Sequence, residues 1–148
     1  MRRVPALIVT GLMLVSCPPP AYLEIYNNTS EPLTVLGSSK PREIAAQSSS
    51  KARFRDLVYW RPAGPDLHEP VLAIQRGSQI HEYTQFQTQA EAFLDLYGSI
   101  RTWKLQFEPD GRLLVVRPED SSPVPPDYEQ PEPFPIIPVM RSTSRPAA

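Results

Sequence analysis

The stretch Arg101–Val116, "RTWKLQFEPDGRLLVV", decides the fold class. Trp103, Leu105 and Phe107 alternate with Thr102, Lys104, Gln106 and Glu108, the two-residue period of a strand with one buried face. Pro109-Asp110-Gly111 follows, and Gly tolerates the positive φ that a tight turn demands. The return run, Leu113-Leu114-Val115-Val116, is apolar on both faces. Such a strand sits centrally in a sheet or beneath a covering layer, and a helix is the expected cover. The stretch predicts an antiparallel hairpin inside a sheet-based domain.

Upstream, "TQAEAFLDLYG" (88–98) places Ala90, Phe93, Leu94 and Tyr97 at the spacing of one helical face. Thr88 with Glu91 forms a capping-box pair, and Gly98 suits the left-handed stop. The spacing therefore predicts one short helix, dependent on a sheet for its stability. "VLAIQRG" and "QIHEYTQF" predict a hairpin closed by Gly77-Ser78. The run from Ala52 to Trp60 and the residues around Ile44 read as strands. "YLEIYNN" reads as a strand that returns through the turn cluster "NNTSEP" into "LTVL". The fold class is mainly β: a small antiparallel β-sandwich or β-sheet domain with one short α-helix, followed by a disordered proline-rich tail.

The boundaries follow from composition. Pro18, Pro19 and Pro20 form a stiff stub, and a second proline cluster runs from Pro118 to Pro146. Prolines lack N–H groups and fix φ, which favours extended polyproline II over a packed fold. The expected folded unit is residues 22–118, long enough for one modest core, and 119–148 is the expected tail. Within that tail lie two P-x-x-P stretches, at 123–126 and 135–138, and the apolar "FPIIPVM".

The N-terminus carries a second signal. Met1-Arg2-Arg3 is positive, and Val4–Ser16 is uncharged and apolar but shorter than the ~20 residues that span a bilayer. Leu14-Val15-Ser16-Cys17 resembles the lipobox of bacterial lipoproteins, and Cys17 is the chain's only cysteine. The resemblance covers residues 1–17. It implies a cleaved signal peptide at 1–16, diacylglyceryl on the Cys17 sulfur, an acylated new N-terminus, and a lipidated Cys with its Pro stub at 17–21. Several buried acyl chains, at ~0.8 kcal/mol per CH₂, make a durable anchor where one does not. Pro18 stands where an Asp favours inner-membrane retention in enteric-type lipoproteins, so the resemblance leans toward the outer membrane, facing the periplasm. An acylated Cys17 is neither a nucleophile nor a disulfide partner.

Loss of residues 1–16 removes Arg2 and Arg3 from the 15 basic residues, leaving 13 against 16 acidic ones. A mildly acidic chain argues against nucleic acid as the partner, because phosphate binding needs clustered positive charge. His68 and His81 match no metal-ligand spacing, and no G-x-S-x-G elbow or phosphate-binding glycine loop is present. No cofactor, metal or catalytic residue is expected. Two binding candidates remain. "KARFRDLVYWRP" interleaves Arg53, Arg55 and Arg61 with Trp60 and other aromatics, which suits an anionic cell-wall glycan. In the tail, Phe134, Ile136 and Ile137 are apolar anchors beside rigid prolines, which suits docking on the domain itself or on an envelope protein. The functional expectation is a membrane-anchored envelope lipoprotein with a non-catalytic binding or assembly role. The alternatives are a phage-type outer-membrane spanin subunit, whose anchor and proline-rich plan this chain resembles, and a small cell-envelope hydrolase.

Overall fold

A computed structural model describes residues 20–88, 90–98 and 100–143. The expected signal peptide at 1–16, Cys17 and the last five residues lie outside the described residues. The chain forms two sheets packed face to face. In order, the elements are β1 (Ala21–Asn27), β2 (Leu33–Val35), β3 (Arg42–Ile44), β4 (Ser49–Arg53), α1 (Phe54–Leu57), β5 (Val58–Gly64) and β6 (Leu67–Arg76). Then come β7 (Gln79–Tyr83), a 3₁₀ turn (Glu91–Phe93), β8 (Asp95–Tyr97), β9 (Ile100–Phe107), β10 (Leu113–Val116) and β11 (Val139–Ser142). The first sheet runs β10-β9-β1-β4, with β8 also on β9. The second runs β11-β7-β6-β2-β3, with β5 also on β6. The fold is mainly β, as the sequence predicts, and among the described residues its one short α-helix lies at Phe54–Leu57.

Alternation builds the core. The first sheet sends Leu23, Ile25, Trp103, Leu105, Phe107, Leu113 and Val115 inward, and the second sends Leu33, Val35, Ile44, Val58, Leu72, Ile74 and Tyr83. The hairpin at 101–116 forms as read, with Phe107 opposite Leu113 and Gly111 at φ +85°. The Gly77-Ser78 turn also forms, with Arg76 opposite Gln79. β1 and β9 run parallel, an exception to the antiparallel pairing.

Three local expectations are corrected. The helix at 88–98 is a single 3₁₀ turn followed by β8. β10 reaches back along β9 only to Lys104, and β8 pairs with the edge left free from Thr102 to Ile100. Pairing on an existing sheet edge outweighs the propensity of a segment too short to hold a helix alone. The Thr88 hydroxyl accepts from the Ala90 N–H at 3.1 Å instead of capping a helix, and Gly98, at φ +61°, serves the hairpin turn. Second, the strand read from Ala52 to Trp60 is broken by α1, which carries the chain from β4 in the first sheet to β5 in the second. Phe54 stacks on Phe86 there, ring centroids 5.7 Å apart. Third, β1 and β2 are not a hairpin, because the turn between them crosses from one sheet to the other.

The largest correction concerns the tail. The expected break after Pro118 does not end the folded unit, since residues 119–143 pack on the domain. Val124 and Phe134 are buried, and Phe134 joins the main core. Leu114 and Val116, the outward face of β10, meet Val124 and Tyr128. The cover demanded by a strand apolar on both faces is therefore the tail and not a helix. Two glutamines clamp it. Gln106, fully buried, accepts from the Val124 N–H at 2.8 Å and donates to its carbonyl at 2.9 Å. Gln130 accepts from the Val115 N–H at 2.8 Å and donates to its carbonyl at 2.9 Å, completing the edge of β10 as a strand would. Prolines here shape turns: Tyr128 N–H donates to Pro125 O at 3.0 Å and Phe134 N–H to Pro131 O at 2.8 Å. The chain ends its described course as β11, paired with β7.

Candidate binding surface

The structure separates the residues that sequence reasoning grouped. Arg53, at the end of β4, is exposed opposite Tyr22, and Arg55 is exposed on α1 with Asp56 at 3.8 Å. Trp60 lies on β5 opposite Pro70 and is 55% exposed. Arg61 is half-buried and committed to carboxylates, at 2.5 Å from Glu69 and 3.5 Å from Glu82. The helical turn α1 breaks the alternation that would have aligned these side chains. The tail anchors also divide. Phe134 faces the core, Ile136 is half-buried in a bridge to Leu113, and Ile137 is exposed. Cys17 falls outside the described residues.

Around Glu82 the outer face of the second sheet carries a polar network that no sequence spacing announced. Tyr59 donates to Glu82 Oε1 at 2.7 Å, and Arg141 Nε lies 3.1 Å from Oε2, the oxygen also met by Arg61. Strand register produces the cluster: Glu82 stands opposite Ala73 on β6 and Val139 on β11, and Arg61 stands opposite Glu69. Burial, and then the hydrogen bond to Glu82, push the Tyr59 hydroxyl up to about 12. The Glu69 hydrogen bond holds the Arg61 guanidinium above its usual range despite opposing desolvation. Each charge in the cluster has its opposite, so the network fastens β11 and β5 onto the sheet and exposes no free acid or base.

Fastened this way, β11 forms an open sheet edge. Among the described residues it has no neighbour beyond β7. Val139 is 62% exposed, Met140 48% and Ile137 78%. Val139 and Met140 alternate to opposite faces of the strand. Sheet edges are usually guarded by charge, yet Arg141, the charge on this strand, turns to Glu82. An open pocket of about 510 Å³ lies elsewhere, lined by Ser39, Lys40, Pro41, Arg42 and Asp56.

His68 is exposed on β6, whereas His81 is buried at 4% exposure, with both ring nitrogens unpartnered among the described residues. Its ring meets Phe107 edge-on at 5.2 Å. Burial, and secondarily the Arg76 charge, lower its pKa below the usual 6.5. The unfolded chain therefore binds this proton more readily than the native one. Stability from neutral His81 is complete above about pH 6.5 and declines below it until the lowered native value is reached, at most ~1.4 kcal/mol per pH unit. Urea unfolding between pH 7.5 and 5 should show this slope, and His81→Leu should flatten it. An unchanged slope in the variant would assign the effect to other groups.

Among the described residues, no group of three or more His, Cys, Asp or Glu side chains is placed to hold a metal ion. No helix among them is long and apolar enough to cross a membrane. No family model, curated protein or solved structure matches the chain.

Proposed function

We propose that this chain is an envelope lipoprotein, held in the outer membrane by lipid on Cys17 and facing the periplasm, that binds a protein partner without catalysing a reaction. The anchor reading rests on the ordered positive start, the apolar run and "LVSC" at 14–17. The binding reading rests on one observation: the open, apolar edge of β11, positioned by the Glu82–Arg141 contact. An exposed edge offers backbone donors and acceptors to an added strand, while Val139 and Met140 supply apolar contacts on its two faces.

Three measurements test this reading. Palmitate should label the wild-type chain and not Cys17→Ala, and label retained in the variant would remove the anchor. A photoreactive side chain at Val139 should crosslink an envelope protein in living cells. Charging the edge by Val139→Lys with Met140→Glu should abolish recovery of that protein while leaving thermal unfolding unchanged. Full recovery with the charged edge would place the contact away from β11.

A further inference from the structure

The chain enters the first sheet at the end where the β8–β9 hairpin closes. Arg101 pairs with Ala21 on one side and Leu96 on the other, and its N–H donates to Pro20 O at 3.2 Å. Tyr97 lies one register step further out, opposite Ile100. Leu96 is 57% exposed and Tyr97 82%. Successive residues of a strand point to opposite faces, so the two outermost residues place an apolar side chain on each face, with exposed Asp95 set two residues further back on the face of Tyr97. The domain cannot cover both by folding the tip onto itself. Exposed cations stand behind it: Arg101 opposite Leu96, and Arg53 opposite Tyr22. An aromatic and an aliphatic tip backed by arginines matches the order of groups across a membrane interface.

Chain length identifies what covers the tip. Four Cα steps separate Cys17 from Ala21, a reach of at most ~14 Å. The headgroup layer on each side of a bilayer is about 5–7 Å deep. A lipidated Cys17 therefore holds the Ala21 end of the sheet close to the surface, and Tyr97 projects beyond Ala21 at that end. We propose that Leu96 and Tyr97 insert into the headgroup region of the phospholipid surface that carries the anchor, with Arg53 and Arg101 meeting lipid phosphates. The β9–β10 turn at Asp110 then faces away from the membrane. This orientation rests on the lipid-anchor reading.

The test uses the full mature, acylated chain in vesicles of phosphatidylethanolamine and phosphatidylglycerol. Acylation consumes Cys17, so one introduced thiol can carry an environment-sensitive fluorophore. The probe in Tyr97→Cys should shift to the blue and be quenched by nitroxide-bearing lipids, while the probe in Asp110→Cys should do neither. A floating chain whose Tyr97→Cys probe reports water overturns the insertion and leaves the anchor standing. A blue shift without lipid quenching assigns the tip to a protein or a second copy and also overturns it. A wild-type chain that does not float removes the anchor and this proposal with it.

Discussion

Truncation after Pro118 is expected to unfold the domain. The cut removes Phe134 from the main core and Val124 and Tyr128 from the outward face of β10. It exposes Leu114 and Val116, which are now 1% and 0% exposed. It also strands the polar groups that the tail satisfies. The side chain of Gln106 loses the Val124 backbone, and the Val115 N–H and carbonyl lose Gln130. Lys104 loses an acceptor at 3.1 Å, the Asp120 carbonyl. Phe134→Ala alone should cost ~3–5 kcal/mol as a large-to-small core change. Full truncation adds the remaining burial and the unpaired groups. It should therefore approach the ~5–15 kcal/mol that holds a typical domain together. Circular dichroism and urea unfolding of the truncated chain measure the loss, and limited proteolysis of the intact chain should leave a fragment that retains residues 119–143. A cooperative transition near the full-length midpoint after truncation would show that the tail is only a spacer.

Asn27→Ala should be nearly as damaging, for a different reason. Asn27 is fully buried at the turn where the chain crosses between the sheets. Its Nδ2 donates to the carbonyls of Glu31, Ile44 and Ala45 at 2.7, 3.2 and 3.1 Å. Its Oδ1 accepts from the Thr29 N–H at 2.9 Å and the Thr29 hydroxyl at 2.8 Å. One amide thus ties the end of β1 to the loop before β2 and to the end of β3. Each buried group left without a partner costs ~1–3 kcal/mol. Allowing for entry of water, the expected loss is ~3–5 kcal/mol. Asn27→Asp keeps the size but cannot donate when ionised, and sets a carboxylate against three carbonyls. It should lose at least as much at neutral pH. Denaturant midpoints of both variants against wild type check this, and a loss below ~1 kcal/mol for Asn27→Ala would show that the neighbouring backbone groups find other partners.

Much of the β architecture was legible because strand burial repeats every two residues and glycine turns announce themselves. Trp103, Leu105 and Phe107, the turn at Gly111, and the Gly77-Ser78 hairpin could be read from local pattern. So could the mainly β class, since it rests on many such segments at once. The double-faced run at 113–116 also stated a demand for cover, and "FPIIPVM" stated a need for burial. What pattern could not do was match the two. Proline content argues for an extended chain when a segment is considered alone, and the tail is held by Gln106 and Gln130, whose amides carry no periodic signal.

Tertiary structure alone decided the remaining features. Whether 88–98 coils or pairs depended on the edge that β10 leaves free on β9, a fact about another strand. The division of the expected arginine strip followed from α1 crossing between sheets, and the Glu82 network from the register of β5, β6, β7 and β11. The open edge at β11 and the apolar tip at Leu96 and Tyr97 likewise exist only because strands distant in sequence meet or fail to meet. Local sequence determined which residues alternate and where the chain turns. Long-range pairing determined which edges and faces stay open, because a backbone hydrogen bond or a buried contact depends on a partner that local periodicity does not identify.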